Sequence, residues 1–100
     1  MVQDKYLLKL FITGYTPQAQ RSIKNIQEIC KNELKEKYHL EIINILEKPQ
    51  LAEEERIIAT PTLIKVLPEP LRRVIGDLSI TEKVLVGLDL LPVEKGEYHE

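Results

Sequence analysis

Residues 6–13 form the segment that most constrains the fold, because they are apolar on both faces of an extended chain apart from Lys9. A run of this length is typical of a central strand that is covered on both sides. Thr16 can cap a helix, and Pro17 suits the first helical position, where its missing N–H would have no partner anyway. The run therefore predicts a strand followed by a helix that ends near residues 35–37.

The predicted helix leads into a second strand over residues 39–46, which are rich in leucine and isoleucine. The apolar positions of the helix follow at spacings of 4, 3 and 4 residues, which places them on one face. They are Ala19, Ile23, Ile26 and Cys30. A strand, a helix and a second strand form a β-α-β unit, and nearly all such units are right-handed with parallel strands. The first half of the chain therefore predicts an α/β fold.

Prolines organise the next part of the chain. Pro49 opens a short acidic turn or helix over residues 50–56. Residues 57–67 are rich in strand-forming residues, but Pro61 lies among them, and proline in a central strand removes a ladder hydrogen bond. We therefore expect a strand that begins at Thr62, immediately after the proline.

Residues 67–77 fit two structures. Residues 72–75 predict a short edge strand that is entered from a proline turn, whereas Leu71, Val74 and Ile75 also fit one turn of helix. The cis or trans state of the prolines matters in this half of the chain, because isomerisation is slow. These prolines are Pro61, Pro68 and Pro70.

Residues 79–91 fit a helix. Ser79 and Glu82 match a capping box, in which Ser79 caps the helix and Glu82 reaches back to it. The apolar positions that follow the cap are spaced by 4, 4 and 3 residues, on one helical face. They are Ile80, Val84, Leu88 and Leu91.

The same segment also fits a strand, because apolar residues alternate from Val84 to Leu90. Gly87 inside a helix costs about 1 kcal/mol relative to alanine. Gly87 and Asp89 are, however, both poor strand formers. By these propensities, neither the helix nor the strand is favoured over the other by more than about 1–2 kcal/mol. A segment this balanced could adopt either state if packing against the rest of the chain selected it.

The size and charge of the chain exclude several classes of protein. One hundred residues suffice for one domain and not for two. Lys and Arg number 14 against 16 Asp and Glu, a formal net charge of −2, so sequence-independent nucleic-acid binding is not expected. No apolar run is long enough to cross a membrane, and no signal-peptide pattern is visible. Cys30, the single cysteine, cannot form an internal disulfide, which fits a reduced, cytoplasmic setting.

The residues offer little chemistry for an enzyme. The turn at residues 14–17 holds no thiol and dithiol chemistry needs two cysteines, although a reaction at a single thiol stays open. Cys30 falls on the apolar helix face, which predicts a packing role. His39 and His99 lie far apart in sequence with no matching cysteine, so no metal site is expected. Residues 53–55 are three glutamates that splay around a helix, which predicts a solvated face. We expect no catalytic residue, cofactor or metal.

Four long motifs occur in one order along the chain. They are PQLAEEE at residues 49–55, ATPTL at 59–63, LRRVIGDLS at 71–79 and KVLVGLDLL at 83–91. Together they resemble the KaiB family, whose members are small circadian-clock proteins of cyanobacteria with relatives in other bacteria. The resemblance runs from about residue 8 to residue 91 without an evident gap, and four ordered motifs are far more specific than any short pattern.

The resemblance implies a metamorphic α/β fold of the thioredoxin-like superfamily. The resting form would have the order β-α-β-β-α-α-β and assemble into dimers and tetramers. A rare monomeric form would have the thioredoxin-like order β-α-β-α-β-β-α. The chain would form a single domain, residues 1–100, with a constant half at 6–46, a fold-switching half at 47–92 and a polar tail at 93–100. We expect the resting form to be the one observed, with the thioredoxin-like form as the alternative.

The resemblance also implies a non-enzymatic role. The thioredoxin-like form would bind the first ATPase domain of the KaiC hexamer and then capture KaiA, which lets KaiC dephosphorylate. It would displace the histidine kinase SasA and recruit the phosphatase CikA. No nucleic acid and no small-molecule substrate are expected. An alternative is a KaiB paralogue outside the core clock, acting as a stress or signalling adaptor to a different KaiC or a histidine kinase.

The resemblance suggests that five cations match family positions that contact KaiC or KaiA. They are Lys9, Arg21, Lys65, Arg72 and Arg73. Arg72 and Arg73 also have a physical argument, since two guanidinium groups beside a proline turn can pair with partner carboxylates in bidentate fashion. Lys9 interrupts an otherwise apolar strand, so we expect it near an edge or a pocket.

Further positions are expected to take part in fold switching. They are Tyr6, Pro61, Pro68, Pro70, Gly87 and Asp89. Substitution at the positions of Gly87 and Asp89 favours the thioredoxin-like form in the family. The chain departs from the family pattern at Glu69, which separates two prolines where three in a row are common, and at Glu41, where a basic residue is common.

Overall fold

The computed structural model describes residues 5–35 and 37–90. The elements in chain order are β1 (Tyr6–Ile12), α1 (Pro17–Ile29), a π-helical turn (Cys30–Leu34), β2 (Tyr38–Asn44), α2 (Pro49–Glu54), β3 (Thr62–Leu67), β4 (Arg72–Ile75) and α3 (Thr81–Gly87). This order, β-α-β-α-β-β-α, is the thioredoxin-like one. Our expectation that the resting order would be observed is therefore wrong, because the second half forms a helix, two strands and a helix.

The first half forms the predicted β-α-β unit. The parallel pairing of β1 with β2 runs from Tyr6 opposite Tyr38 to Ile12 opposite Asn44. Thr16 caps α1, since its hydroxyl oxygen accepts a hydrogen bond from the N–H of Ala19 at 3.1 Å. Both the cap and the proline at the helix start were predicted from the sequence.

The second half completes a four-stranded sheet in the order β2-β1-β3-β4. β3 pairs antiparallel with the central strand β1, and β4 pairs antiparallel with β3. The predicted strand start at Thr62 is confirmed, and Pro61 lies immediately before it. The predicted edge strand over residues 72–75 is confirmed as well. The peptide bonds that precede Pro61, Pro68 and Pro70 are cis.

Two layers of side chains cover the sheet. On one face, here called the helix face, residues of β1 and β3 pack against α1 and α3. The buried residues of this layer include Leu8, Leu10, Ile12, Ile26, Cys30, Leu63, Val84 and Leu88. On the opposite face, here called the α2 face, Phe11, Ile43 and Ile64 are buried beneath Leu51 of α2 and Ile57. Because β1 is covered on both sides, its continuous apolar character is explained.

The segment that fitted both a helix and a strand forms a helix. Val84 and Leu88 of the predicted helical face are buried, and Ile80 is 53% exposed. The predicted cap at Ser79 is wrong, because α3 begins two residues later, at Thr81. The Asp77 carboxylate accepts a hydrogen bond from the N–H of Ser79 at 3.1 Å, which holds this residue in the turn before the helix.

The end of α3 is a Schellman motif, in which a left-handed residue closes the helix. Asp89 has φ +65° and donates its N–H to the carbonyl of Val86 at 3.0 Å. The N–H of Leu90 is donated to the carbonyl of Leu85 at 2.8 Å. The helix therefore ends in a tight turn that returns Leu90 to the core.

Candidate functional site

The two adjacent arginines of β4 lie on opposite faces of the sheet, because successive strand residues point in opposite directions. Arg72 is in register with Lys65 and Arg73 with Ile64. Both arginines are exposed. Arg73 donates a hydrogen bond from Nη2 to the carbonyl of Glu55 at 2.6 Å. The two guanidinium groups therefore do not share one carboxylate, and each is available to a different part of a partner.

Lys65 lies in the interior. Its register partner on β1 is Leu8, so its side chain is on the helix face, and it is only 2% exposed. Burial lowers the pKa of Lys65, the negative charge of Asp89 raises it and the positive charge of Arg72 lowers it. No described residue forms a hydrogen bond or an ion pair with the Lys65 ammonium. In this form the side chain is out of reach of a partner protein.

Lys9 lies in the middle of the sheet, so the expectation of an edge position is wrong. Its neighbours in register are Glu41 on β2 and Ile64 on β3, and Arg73 lies beyond Ile64 on β4. These four residues form a row across the α2 face, here called the charged row. Lys9 is half-buried and lies opposite Glu41 in register, so a residue of opposite charge is its neighbour on β2.

Arg21 is exposed on α1, away from the other four cations along the chain. The structure therefore brings Lys65 and Arg72 together on the helix face, and places Lys9 and Arg73 in the charged row. Arg21, which lies on α1, belongs to neither pair.

An exposed apolar cluster at one end of the sheet was not predicted from the sequence. It consists of Tyr15, Leu46 and Ile58, whose exposed fractions are 56%, 67% and 91%. These residues follow β1, follow β2 and precede β3, so they occupy loops at the same end of the sheet. Large apolar residues just outside strand boundaries were the available signal, but the strand ends have to be known before it can be used.

Polar contacts hold these loops together. Asn44 at the end of β2 accepts hydrogen bonds at Oδ1 from the N–H of Gly14 at 2.9 Å and of Leu46 at 3.1 Å. The hydroxyl groups of Thr13 and Thr60 share a hydrogen bond of 2.7 Å. A cavity of about 520 Å³ lies next to this end, between α2 and Ile58. These hydrogen bonds therefore link the loops that carry the exposed apolar residues.

Cys30 is a buried packing residue, as predicted. It is fully buried at the end of α1, and burial raises the pKa of its thiol to about 12. At neutral pH the reactive thiolate is therefore not formed. The described part of the chain contains no group of three metal-binding side chains. Within the same residues, none of the helices has both the length and the apolar character needed to cross a bilayer.

Residues 9–90 match the family model described as the KaiB domain. The chain is 55% identical to a circadian clock oscillator protein KaiB of Prochlorococcus marinus, over 97% of this chain and 91% of the relative. The KaiB of Thermosynechococcus vestitus is also 55% identical, over 99% and 92%. The circadian clock protein KaiB3 of Synechocystis is 54% identical, over 92% and 90%.

Solved structures confirm the thioredoxin-like fold. The N-terminal domain of SasA from Synechococcus elongatus superposes with a TM-score of 0.75 at 25% identity, over 99% of this chain and 93% of that domain. Mitochondrial thioredoxin 3 of Saccharomyces cerevisiae superposes with a TM-score of 0.69 at 17% identity, over 89% and 81%. With a family model that spans most of its length and relatives at 55% identity, the chain belongs to the KaiB family.

Proposed function

We propose that the chain is a circadian-clock regulator that binds the KaiC hexamer in the thioredoxin-like form. In that complex it captures KaiA and thereby promotes KaiC dephosphorylation, and it displaces SasA and recruits CikA. The observation that carries the proposal is the superposition on the SasA N-terminal domain, which spans nearly the whole of both chains with a TM-score of 0.75. Family membership supports the clock role.

Likeness of shape gives the proposed competition a physical basis. Two proteins with the same arrangement of strands and helices can present equivalent surfaces to a common partner, and then only one of them occupies the site. Competition also needs matching surface chemistry, which a shared fold alone does not supply. The proposal therefore requires that this chain and the SasA domain exclude each other on KaiC.

The proposed contacts are made by exposed cations. Arg72 and Arg73 lie on the edge strand and face opposite sides, so an acidic partner surface could wrap around this edge. Arg21 and Lys9 are proposed as secondary contacts. Lys65 would contribute only if the side chains that cover it moved, because the residue is buried in this form.

We also propose that the second half of the chain changes its fold. A resting tetramer would keep residues 6–46 and rearrange residues 47–92. The first of these segments contains the locally connected β-α-β unit, and the second contains the helix that fitted a strand nearly as well. The positions proposed to control the change are Tyr6, Pro61, Pro68, Pro70, Gly87 and Asp89.

A competition experiment tests the proposal. The chain is mixed with the KaiC hexamer, the complex is isolated by size-exclusion chromatography, and the SasA N-terminal domain is added in increasing amounts. We expect a complex from which the SasA domain and this chain displace each other, and which retains KaiA when KaiA is added. Absence of a KaiC complex after prolonged incubation would contradict the proposal. Such a result would favour the alternative that the chain is a KaiB paralogue outside the core clock. The partner of such a paralogue could be identified by co-purification.

The chain is proposed to act without catalysis. Its single thiol is buried with a raised pKa, which removes the nucleophile that a thioredoxin-like enzyme would use. An insulin-reduction assay with the wild type and the Cys30→Ser variant tests this point. We expect no activity above background from either protein, and activity that disappears with the substitution would overturn the proposal.

A further inference from the structure

Lys65 is a buried lysine for which the described residues supply no direct partner. It is 2% exposed, and its ammonium forms no hydrogen bond or ion pair with any of them. Buried lysines are rare unless paired, because an ammonium removed from water loses its hydration. A charge in this position therefore opposes the structure that covers it.

Lys65 lies in the layer of side chains that α3 and α1 cover, and the charge of Asp89 at the end of α3 acts on it. Lys65 shares the helix face with Leu63, which belongs to the same core layer as Leu85 and Leu88 of the α3 region. Part of the penalty of burial therefore acts on the packing of α3, which covers this layer together with α1.

The charged and titratable groups around Lys65 do not cancel its charge. Arg72 is its register partner on β4 and adds a second positive charge on the same face. Tyr6 is the titratable residue of β1 on that face, and Asp89 follows α3. Glu82 and Lys83 of α3 are exposed. Asp89 favours the charged form of Lys65, but burial outweighs it and lowers the pKa.

We infer that Lys65 is a charge switch for α3: its buried ammonium weakens the packing of this helix on the sheet, and neutralising Lys65 strengthens it. The inference does not depend on KaiC, since it concerns the isolated chain. The buried charge thus weakens the thioredoxin-like form at α3, the segment whose sequence fits both a helix and a strand.

The pH dependence has a defined sign. The pKa of Lys65 is lowered in the folded chain, whereas the unfolded chain titrates at the ordinary value of 10.5. Between these two values the unfolded state binds more protons than the folded one, so stability rises with pH. Below the folded pKa the full penalty is present. The thiol of Cys30 has the opposite effect on stability above its ordinary pKa of 9.0. The dependence of stability on pH is therefore measured in a Cys30→Ala background.

The first experiment compares Lys65→Met with the parent chain and with Lys83→Met, which removes an exposed lysine of α3. Amide exchange of α3 and NMR secondary shifts over Thr81–Gly87 are recorded at pH 7. We expect Lys65→Met to lower the opening equilibrium of α3 by about tenfold, or to raise the helical population if another form coexists. Lys83→Met should leave both unchanged. Unchanged or increased opening in Lys65→Met would overturn the inference.

A second experiment does not depend on the folding of that variant. The ¹³Cε signal of Lys65 is titrated in the parent chain, in Asp89→Asn and in Arg72→Met. We expect titration below 10.5 in the parent, at lower pH in Asp89→Asn and at higher pH in Arg72→Met. Titration of the parent at or above 10.5 would overturn the inference independently of any result with KaiC.

Discussion

The Cβ position of Gly87 lies 2.8 Å from Cγ2 of Val74, which is closer than real Cβ atoms approach such a neighbour. Glycine at this site therefore lets the last turn of α3 rest directly on the edge strand β4. The close approach explains why a residue that weakens a helix occurs inside one. The fit of the last turn of α3 against β4 therefore depends on the side chain of Val74.

Gly87→Ala and Val74→Ala are expected to be strongly coupled. Alanine favours a helix by about 1 kcal/mol over glycine, but its methyl group displaces Val74, and overpacking costs about 1–3 kcal/mol. Gly87→Ala should therefore stabilise this form by about 1 kcal/mol in the Val74→Ala background, whereas in the parent it should be neutral or destabilise the form by up to about 2 kcal/mol. A double-mutant cycle from chemical denaturation measures the coupling, and additive effects would contradict the contact.

Substitution of Asp89 tests the left-handed turn at the end of α3. This conformation costs about 1–2 kcal/mol for an ordinary residue, less for asparagine and aspartate, and nothing for glycine. All three neutral variants remove the same charge beside Lys65. We therefore expect the free energy of unfolding to fall in the order Asp89→Gly, Asp89→Asn, Asp89→Ala. Equal stabilities of the glycine and alanine variants would show that this turn does not limit the helix.

Local patterns predicted the first half of the fold and left part of the second half open. The cap at Thr16 and the apolar helix face lie close together in sequence, so the β-α-β unit could be recognised. The choice of a helix over residues 81–87 depends on burial of Val84 and Leu88 against β1 and β3, which are distant in sequence. The burial of Lys65 was not predicted, because a lysine among apolar strand residues normally indicates an exposed position.

Cys30 gives a prediction for alkaline pH. The folded thiol has its pKa raised to about 12, whereas the unfolded thiol ionises near 9.0. Between these values the folded state binds more protons, so the contribution of this thiol to stability falls as pH rises, by at most about 1.4 kcal/mol per pH unit.

Cys30→Ala should remove this part of the pH dependence in denaturation experiments. Iodoacetamide should modify Cys30 only after unfolding. Rapid modification of the native protein at neutral pH would contradict the buried position.

Arg73→Glu is expected to weaken binding to KaiC at least tenfold, because an exposed guanidinium on an edge strand is replaced by a carboxylate that repels an acidic partner. Lys31→Glu makes the same change of charge on the π-helical turn, away from β4, and should leave the affinity unchanged. Binding is measured by fluorescence anisotropy, with circular dichroism as the check on folding. Equal losses in both variants would indicate a general charge effect instead of a contact.

The central claim is that the thioredoxin-like form is the one that engages KaiC. Backbone carbon shifts of the labelled chain bound to the isolated first ATPase domain of KaiC test it most directly. We predict helical shifts over Thr81–Gly87 and strand shifts over Thr62–Leu67 and Arg72–Ile75 in the complex. Strand shifts over residues 81–87 in the bound chain would contradict the account.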